Sequence, residues 1–385
     1  MPIYTVLNEN GKPIKKNGYT KYRVIVSYVD NNGKYKKVER ITYGSDNAKD
    51  VELELIKKIN KKELETSISY KELKNQYLLS KKADTKPGTY RAIVGRLENH
   101  ITPFFESYKI NKINASLIQK WKNEINNKSI DLGTKKNAYG SLRALLNFAV
   151  KMEYISKNPI RSIDNFKDPN YIKKEMDYYT VEEFKKFIAI AKDEAIRMEE
   201  KTNSIYEWHY YIFFMISFFL GTRKGETYGF DWNNWSNETL KIEKSIDQKN
   251  KGQLGDIVGA PKTKNSLRVN KLPNIIEVAL QEHYNRCRKI DGFSKSWYIC
   301  GGTAPIRNTT IDKRNSHYAR LADIKRIRIH DFRHSNASLL INNGVLPKEV
   351  ARRLGDTESE IMKTYSHLYP QEEEKVIEIL NNIEL

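Results

Sequence analysis

The run Tyr210–Leu220, YYIFFMISFFL, is the longest apolar stretch in the chain. A bilayer-spanning helix needs about 20 such residues, so this run predicts a helix buried on every side. Such a helix demands a substantial core around it. A chain of 385 residues can supply one, since at roughly 100–200 residues per domain it makes two or three domains. Cys287 and Cys300 are the two cysteines, which excludes a disulfide scaffold and a four-cysteine zinc site. The opening MPIYTVLNENGKPIKK has no apolar signal core. A cytoplasmic, membrane-free protein is expected.

Charge narrows the partner. Lys and Arg number 67 against 48 Asp and Glu, a net charge of +19, so the partner is expected to be a polyanion, nucleic acid first. With 24 Tyr, 13 Phe and 5 Trp, the chain is too aromatic to be a disordered basic tail. The charge is uneven. Residues 1–65 carry a net +5, residues 66–170 a net +10 and residues 171–385 a net +4. The middle segment is therefore the one expected to lie along phosphates, with binding that weakens as salt rises.

The first segment, 1–65, reads as a small sheet with a helix. Tyr22–Tyr28 and Lys34–Tyr43 are strand-like, joined by Asp30-Asn31-Asn32-Gly33, with Gly for positive φ. Asp46 is the expected cap of a helix running to about Lys61. A basic ribbon of this kind fits a major groove. Segment 66–170 is helical, with apolar spacing of three and four over Tyr70–Ser80, Thr89–Ile101, Ala115–Asn126 and Thr134–Met152. Thr89 and Ser116 are the expected caps, and Asn158-Pro159 the expected stop. Lys34, Lys36 and Lys37 on the ribbon, and Arg91, Lys135, Lys136 and Arg143 on the helices, are the candidate DNA contacts. Ser162–Asp177 reads as a linker. The third segment, 171–385, opens with a capping box, Thr180 and Glu183.

Common chemistries are missing. There is no GxxxxGK[ST], GxSxG or HExxH, and the seven His do not fall at zinc spacing. Spacing alone leaves open an acidic metal-dependent nuclease site, though no DxD-type pair sits in an obvious turn. What the third segment offers is cations in four places. Gly221-Thr222-Arg223-Lys224-Gly225-Glu226 follows the apolar run, so a turn at Gly221 brings Arg223 to the core's edge, with Glu226 able to brace it. His330 and Arg333 stand three apart in His330-Asp331-Phe332-Arg333-His334 and so share a helix face. A guanidinium fork matches phosphate oxygens, and His adds a proton acceptor or donor. Pro261–Arg268, PKTKNSLR, lies between strand-like Leu240–Ser245 and Leu267–Leu272 and reads as a hairpin tip carrying lysines. Finally Arg352-Arg353-Leu354-Gly355-Asp356 precedes Thr364-Tyr365-Ser366-His367-Leu368. Among nearby cations a phenol can attack phosphorus. Singly, each of these pieces is also explained by ordinary surface or capping roles.

In this order the four pieces resemble the catalytic domain of the tyrosine recombinases, the phage-integrase family. The match runs Gly221-Thr222-Arg223-xx-Glu226, Pro261-Lys262-Thr263-Lys264, His330-xx-Arg333-His334, then Leu354-Gly355 and Tyr365-Ser366-His367. Residues 1–65 are similar to an arm-site-binding module and 66–170 to a helical, SAM-like core-binding domain. The resemblance implies a multidomain fold, mainly α with small β elements, ending in a mixed but mostly helical catalytic domain at 171–385.

It also implies roles. Tyr365 would form a 3′-phosphotyrosine and free a 5′-hydroxyl. Arg223 and Arg333 would hold the non-bridging oxygens. Lys262, or Lys264, would protonate the leaving oxygen, and His330 would assist at the tyrosine. Glu226, His334 and His367 would support them. The family usually carries His, sometimes Trp, where this chain has Asp356; Asp356 would be protonated or turned from the phosphate and orient Arg333 or Tyr365, or else His367 would supply part of the missing donor. No cofactor or metal is implied. The implied partners are double-stranded core- and arm-type attachment sites, further protomers in a tetramer, a directionality factor and a host DNA-bending protein. The apolar positions of Gln371–Leu385 imply a tail helix exchanged between protomers. The competing readings are a non-catalytic architectural DNA-binding protein and a type IB-like topoisomerase.

Overall fold

The computed structural model describes residues 3–29, 35–65, 68–170, 176–236, 238–248, 257–259, 264–368, 377 and 380. No helix among the described residues is long and apolar enough to cross a membrane. The chain forms two compact units, Met1–Tyr171 and Ile172–Leu385.

The first unit begins with strands β1 (Ile3–Thr5), β2 (Lys15–Lys16), β3 (Tyr19–Val29) and β4 (Tyr35–Tyr43). β3 pairs antiparallel with each of the other three. Helix α1 (Ser45–Glu65) covers one face, burying Val24 against Ala48 and Leu55 with Val26 and Val38 beside them. α1 starts at Ser45, just after Gly44 at φ +93°. Asp46 thus sits inside the first turn, not at the cap, where its charge still suits the positive helix end.

Helices α2 (Tyr70–Asp84), α3 (Pro87–His100), α4 (Thr102–Phe105), α5 (Ala115–Asn126) and α6 (Leu132–Lys151) follow. Their shared core includes Tyr70, Leu97, Phe105, Trp121 and Leu142. The caps differ from the sequence expectation. Asn114 accepts from the Leu117 amide, so Ser116 lies within α5. Lys86 precedes Pro87, whose fixed φ starts α3, so Thr89 caps nothing. Asp131 caps α6 through the Thr134 amide. α6 ends at Lys151, well before Asn158-Pro159, because Glu153 takes φ +59°. The stretch expected to be a linker also contributes to the core: Phe166 is buried against Trp121.

The second unit holds α7 (Val181–Thr202), α8 (Tyr206–Leu220), α9 (Lys224–Gly229), β5 (Trp235–Ser236), β6 (Thr239–Ile242), β7 (Ser245–Asp247), β8 (Ile257–Gly259), β9 (Arg268–Lys271), α10 (Asn274–Cys287), α11 (Asn308–Leu321), α12 (Asp331–Asn342), α13 (Pro347–Leu354) and α14 (Glu358–Tyr365). The predicted capping box forms at Thr180 and Glu183. α8 is buried on nearly every face, as its composition demands. β6 pairs with β5 and β9, and β7 with β8. The two strands expected to flank Pro261–Arg268 do pair, β6 with β9, but the β7–β8 hairpin lies between them in the chain, and Pro261–Thr263 lie outside the described residues. The expected tail helix, Gln371–Leu385, lies outside the described residues apart from the exposed Ile377 and Leu380.

The core of this unit also encloses two imidazoles. His209 Nδ1 and His283 Nε2 stand 3.1 Å apart, and each lies near the Ile299 carbonyl oxygen. Burial pushes His209 down to about 4 and His283 well below its usual value. A depressed histidine stabilises the fold above the unfolded value near 6.5 and loses that contribution as pH falls toward the folded one. For His209 alone the difference amounts to roughly 3 kcal/mol. Thermal melting should therefore show the second unit losing stability steeply between pH 6.5 and 4. The double substitution His209→Leu and His283→Leu should flatten that slope; an unchanged slope would contradict the assignment.

Candidate active site

Gly221 ends α8 at φ +58°. A Cβ there would fall 2.3 Å from Leu354 Cδ2 and 2.8 Å from Asn336 Oδ1, so only glycine lets α8, α12 and α13 meet this closely. The turn places Arg223 at the start of α9 and Glu226 three residues on. The Glu226 carboxylate accepts from the Arg223 amide and Nη1, both at 3.1 Å. It is fully buried, and Arg268 Nη2 donates at 3.0 Å to Oε2, the oxygen that also takes the Arg223 amide.

Arg223 Nη1 also donates to Ser266 Oγ at 2.9 Å and to the Gly355 carbonyl at 3.2 Å. Arg333 lies on the first turn of α12 and is 3% exposed. Its Nη1 donates to the carbonyls of Gly221 (2.8 Å) and Leu354 (2.7 Å). The remaining nitrogens converge. Arg223 Nη2 donates to Asp356 Oδ1 at 2.8 Å, and Arg333 Nη2 donates to Asp356 Oδ2. Asp356 therefore bridges the two arginines. Its two oxygens are taken up by the arginines, and the Tyr365 hydroxyl pairs with His334 instead.

Tyr365 closes α14 and is buried at 4% exposure. Its hydroxyl lies 2.5 Å from His334 Nδ1. His334 is thus the histidine in contact with the phenol. His330, expected in that place, packs edge-on against His334 with ring centroids 4.9 Å apart. His330 keeps an exposed edge, yet desolvation of its ring, with His334 and Arg333 adding to the effect, holds it below its usual value. Desolvation also lowers His334, opposed by Asp331. The phenol is raised by burial, and Arg333 opposes that while Asp356 and Asp331 reinforce it. A neutral His334 next to a protonated phenol is a base and acid already in register.

Lys262 lies outside the described residues. The backbone of Lys264 sits in a 3-10 turn, Lys264–Ser266. His367 is exposed in the turn after Tyr365 and makes none of these contacts.

Arg268 and Ser266 were given no role by sequence reasoning. The available signal was β9's inverted pattern: Arg268 and Asn270 point inward while Val269 is exposed. Both inward residues donate to the Arg353 carbonyl, at 2.8 Å from Arg268 Nε and 3.0 Å from Asn270 Nδ2.

The candidate DNA contacts fall on different faces. Register pairs Tyr28 with Lys36 and Ser27 with Lys37. By alternation, Lys36 shares the α1 side with Val38, whereas Lys37 shares the open face with Arg23 and the 86%-exposed Tyr35. Lys34 lies outside the described residues. Lys136 and Arg143 are both exposed on α6, two turns apart and so on one side. Lys135 Nζ is held by the Asn126 carbonyl at 2.8 Å. Arg91 on α3 is half-buried.

Comparison with known proteins agrees with this geometry. Residues 179–372 match the phage integrase family, and residues 69–126 match the phage integrase N-terminal SAM-like domain. The ICEBs1 integrase of Bacillus subtilis is 28% identical over 327 residues, covering 82% of this chain and 84% of that protein. The integrase of Mycobacterium phage L5 is 23% identical, covering 84% and 81%. The fold is similar to the Tn1549 transposon integrase in complex with transposon right-end DNA, with a TM-score of 0.62 and 17% identity over 82% of this chain and 99% of that one. It is also similar to a lambda integrase tetramer bound to a Holliday junction, with a TM-score of 0.55 and 15% identity over 92% and 95%.

Glu226 gives the site a sharp test. Its removal leaves Arg268 a buried cation without its partner. Glu226→Ala should therefore destabilise the second unit by about 3–5 kcal/mol, measured by urea unfolding. A loss below about 1 kcal/mol, the value of a surface pair, would show that the network does not hold the unit together.

Proposed function

Because the chain belongs to the phage integrase family, we propose that Tyr365 is the nucleophile with which it cuts and rejoins DNA. The protein is a site-specific tyrosine recombinase that integrates mobile elements. The observation that carries the residue assignment is the convergence of Arg223 and Arg333 on a single anion, with the Tyr365–His334 pair on the neighbouring helices.

In the step we assign, Tyr365 Oη bonds to phosphorus and its proton passes to His334 Nδ1. Arg223 and Arg333 stabilise the charge on the non-bridging oxygens, an effect worth about 3–4 kcal/mol per aimed donor. The bond from phosphorus to the 5′ oxygen breaks, and the ammonium of Lys262, or of Lys264, protonates the leaving oxygen. The phosphotyrosine retains the energy of the broken bond, so rejoining by a 5′-hydroxyl simply reverses the step. Nothing among the described residues favours a non-catalytic architectural role or a topoisomerase.

The same reading assigns residues 1–65 to arm-type sites through the open sheet face bearing Arg23 and Lys37. It assigns 66–170 to core-type sites, where Lys136 and Arg143 face the phosphates, and 171–385 to catalysis. Four protomers would assemble on two duplexes, with residues 371–385 exchanged between neighbours. A directionality factor and a DNA-bending host protein complete the expected partners, in the cytoplasm.

A nicked suicide substrate tests the nucleophile. The wild-type chain should form a covalent adduct and Tyr365→Phe none; an adduct surviving in that variant would displace Tyr365. Because the active His334 is neutral and lowered, the adduct rate should hold through pH 6.5 and fall only below it. His334→Gln should slow the reaction and remove that acid limb.

The lysines are separated by leaving-group chemistry. A 5′-bridging sulfur departs without protonation, so it should restore a general-acid variant to near the wild-type rate. If Lys262 is the acid, Lys262→Ala is rescued by sulfur and Lys264→Ala has little to rescue. The reverse pattern would move the role to Lys264.

A further inference from the structure

Asp356 stands where this chain departs from its family's usual His or Trp, and its contacts define a task for it. Arg333 commits Nη1 to the carbonyls of Gly221 and Leu354, and Arg223 commits Nη1 to Glu226, Ser266 and Gly355. Each Nη2 group is held by one oxygen of Asp356, and Arg223 Nη2 also donates to the Gly355 carbonyl at 3.3 Å. A phosphodiester gripped through these Nη2 groups meets the carboxylate that holds them. The carboxylate is also within reach of an incoming ligand: its side chain is 31% exposed, while those of Arg223 and Arg333 are 23% and 4% exposed. Its backbone is fixed, since the Asp356 amide donates to the Ala351 carbonyl at 3.0 Å. Exchange therefore needs only a side-chain rotation.

The pair also needs an anion when no DNA is bound. Arg223 and Arg333 oppose each other's charge, Arg268 adds a third guanidinium, and Asp356 is the favourable partner of Arg333 beside Glu226. With Asp356 in place, three cations face two carboxylates. A phosphate entering beside an undisplaced Asp356 would meet like charge at close range.

We propose that Asp356 is a resident counter-anion of the arginine pair, holding Arg223 and Arg333 converged before DNA arrives and giving up its place to the scissile phosphate. The inference rests on reading Arg223 and Arg333 as the phosphate clamp. It makes the wild-type site an anion exchanger whose resident ion slows the first step. Asp356 is thus a positioning residue whose charge opposes the substrate it prepares for. The same carboxylate raises the Tyr365 phenol, so its removal should ease the nucleophile's ionisation as well.

The test uses the full chain with Asp356→Asn and Asp356→Ala. Inorganic phosphate is titrated against thermal melting, with chloride at matched ionic strength as the control. Both variants should melt lower than wild type without phosphate and bind it about tenfold more tightly, a difference of about 1.4 kcal/mol. On the suicide substrate both should form the adduct about tenfold faster than wild type, with the pH–rate profile shifted to lower pH. Asp356→Ala separates charge removal from any hydrogen bond that Asn could donate. Wild type binding phosphate as tightly as the variants, or forming the adduct as fast as either, would overturn the proposal. If no version forms an adduct, the assignment of Tyr365 fails, and the phosphate titration still decides the role of Asp356. Should either variant show no melting transition, Asp356→Ser takes its place in both measurements.

Discussion

One buried carboxylate organises the catalytic unit. Glu226 joins the turn after α8 to strand β9, because it accepts from Arg223 on one side and Arg268 on the other. Arg268 passes the connection to the Arg353 carbonyl at the end of α13, and Arg333 gathers the carbonyls that end α8 and α13. Elements far apart in sequence thus meet through charge-assisted hydrogen bonds, the strong kind. A pair buried this deeply is costly to desolvate, so its value lies less in net stability than in fixing where two guanidiniums point. The glycines fit the same account. Gly221 and Gly355 both take left-handed conformations, and a Cβ on Gly355 would fall 2.5 Å from Arg268 Nη1.

Much of this was legible in the sequence, for identifiable reasons. The α8 run announces itself because burial on all faces leaves no room for polar residues. The Thr180 capping box forms because both partners lie within one turn. The ordered set Arg223, His330, Arg333 and Tyr365 marks the family. What remained hidden depends on tertiary contacts. No local rule says that His334 and not His330 meets Tyr365, since the answer lies in how α14 docks on α12. Arg268 drew no role because the β6–β9 pairing that turns it inward spans the whole β7–β8 excursion. Ser116 and Thr89 were plausible caps, yet Asn114 and Pro87 started their helices earlier.

The charge excess divides along the same lines. In the first unit it is spread over a sheet face and the outer side of α6, suited to long-range attraction that salt screens. In the catalytic unit the cations of the site are few and immobilised, and Arg268 and Arg333 are less than a tenth exposed. Under the proposed assignment such groups would add little to encounter and much to the stabilisation of a charged transition state.

The polar interior of β9 has a mechanical consequence. Slipping its register by one residue would turn Arg268 and Asn270 outward and Val269 inward, breaking both bonds to the Arg353 carbonyl. The strand is therefore a fixed post, and Ser266, buried under Arg223, lies two residues before it. Lys262 is four residues from Ser266, and at no more than about 3.6 Å per residue its backbone can range only some 14 Å. Each residue inserted between Lys262 and Ser266 would lengthen that reach.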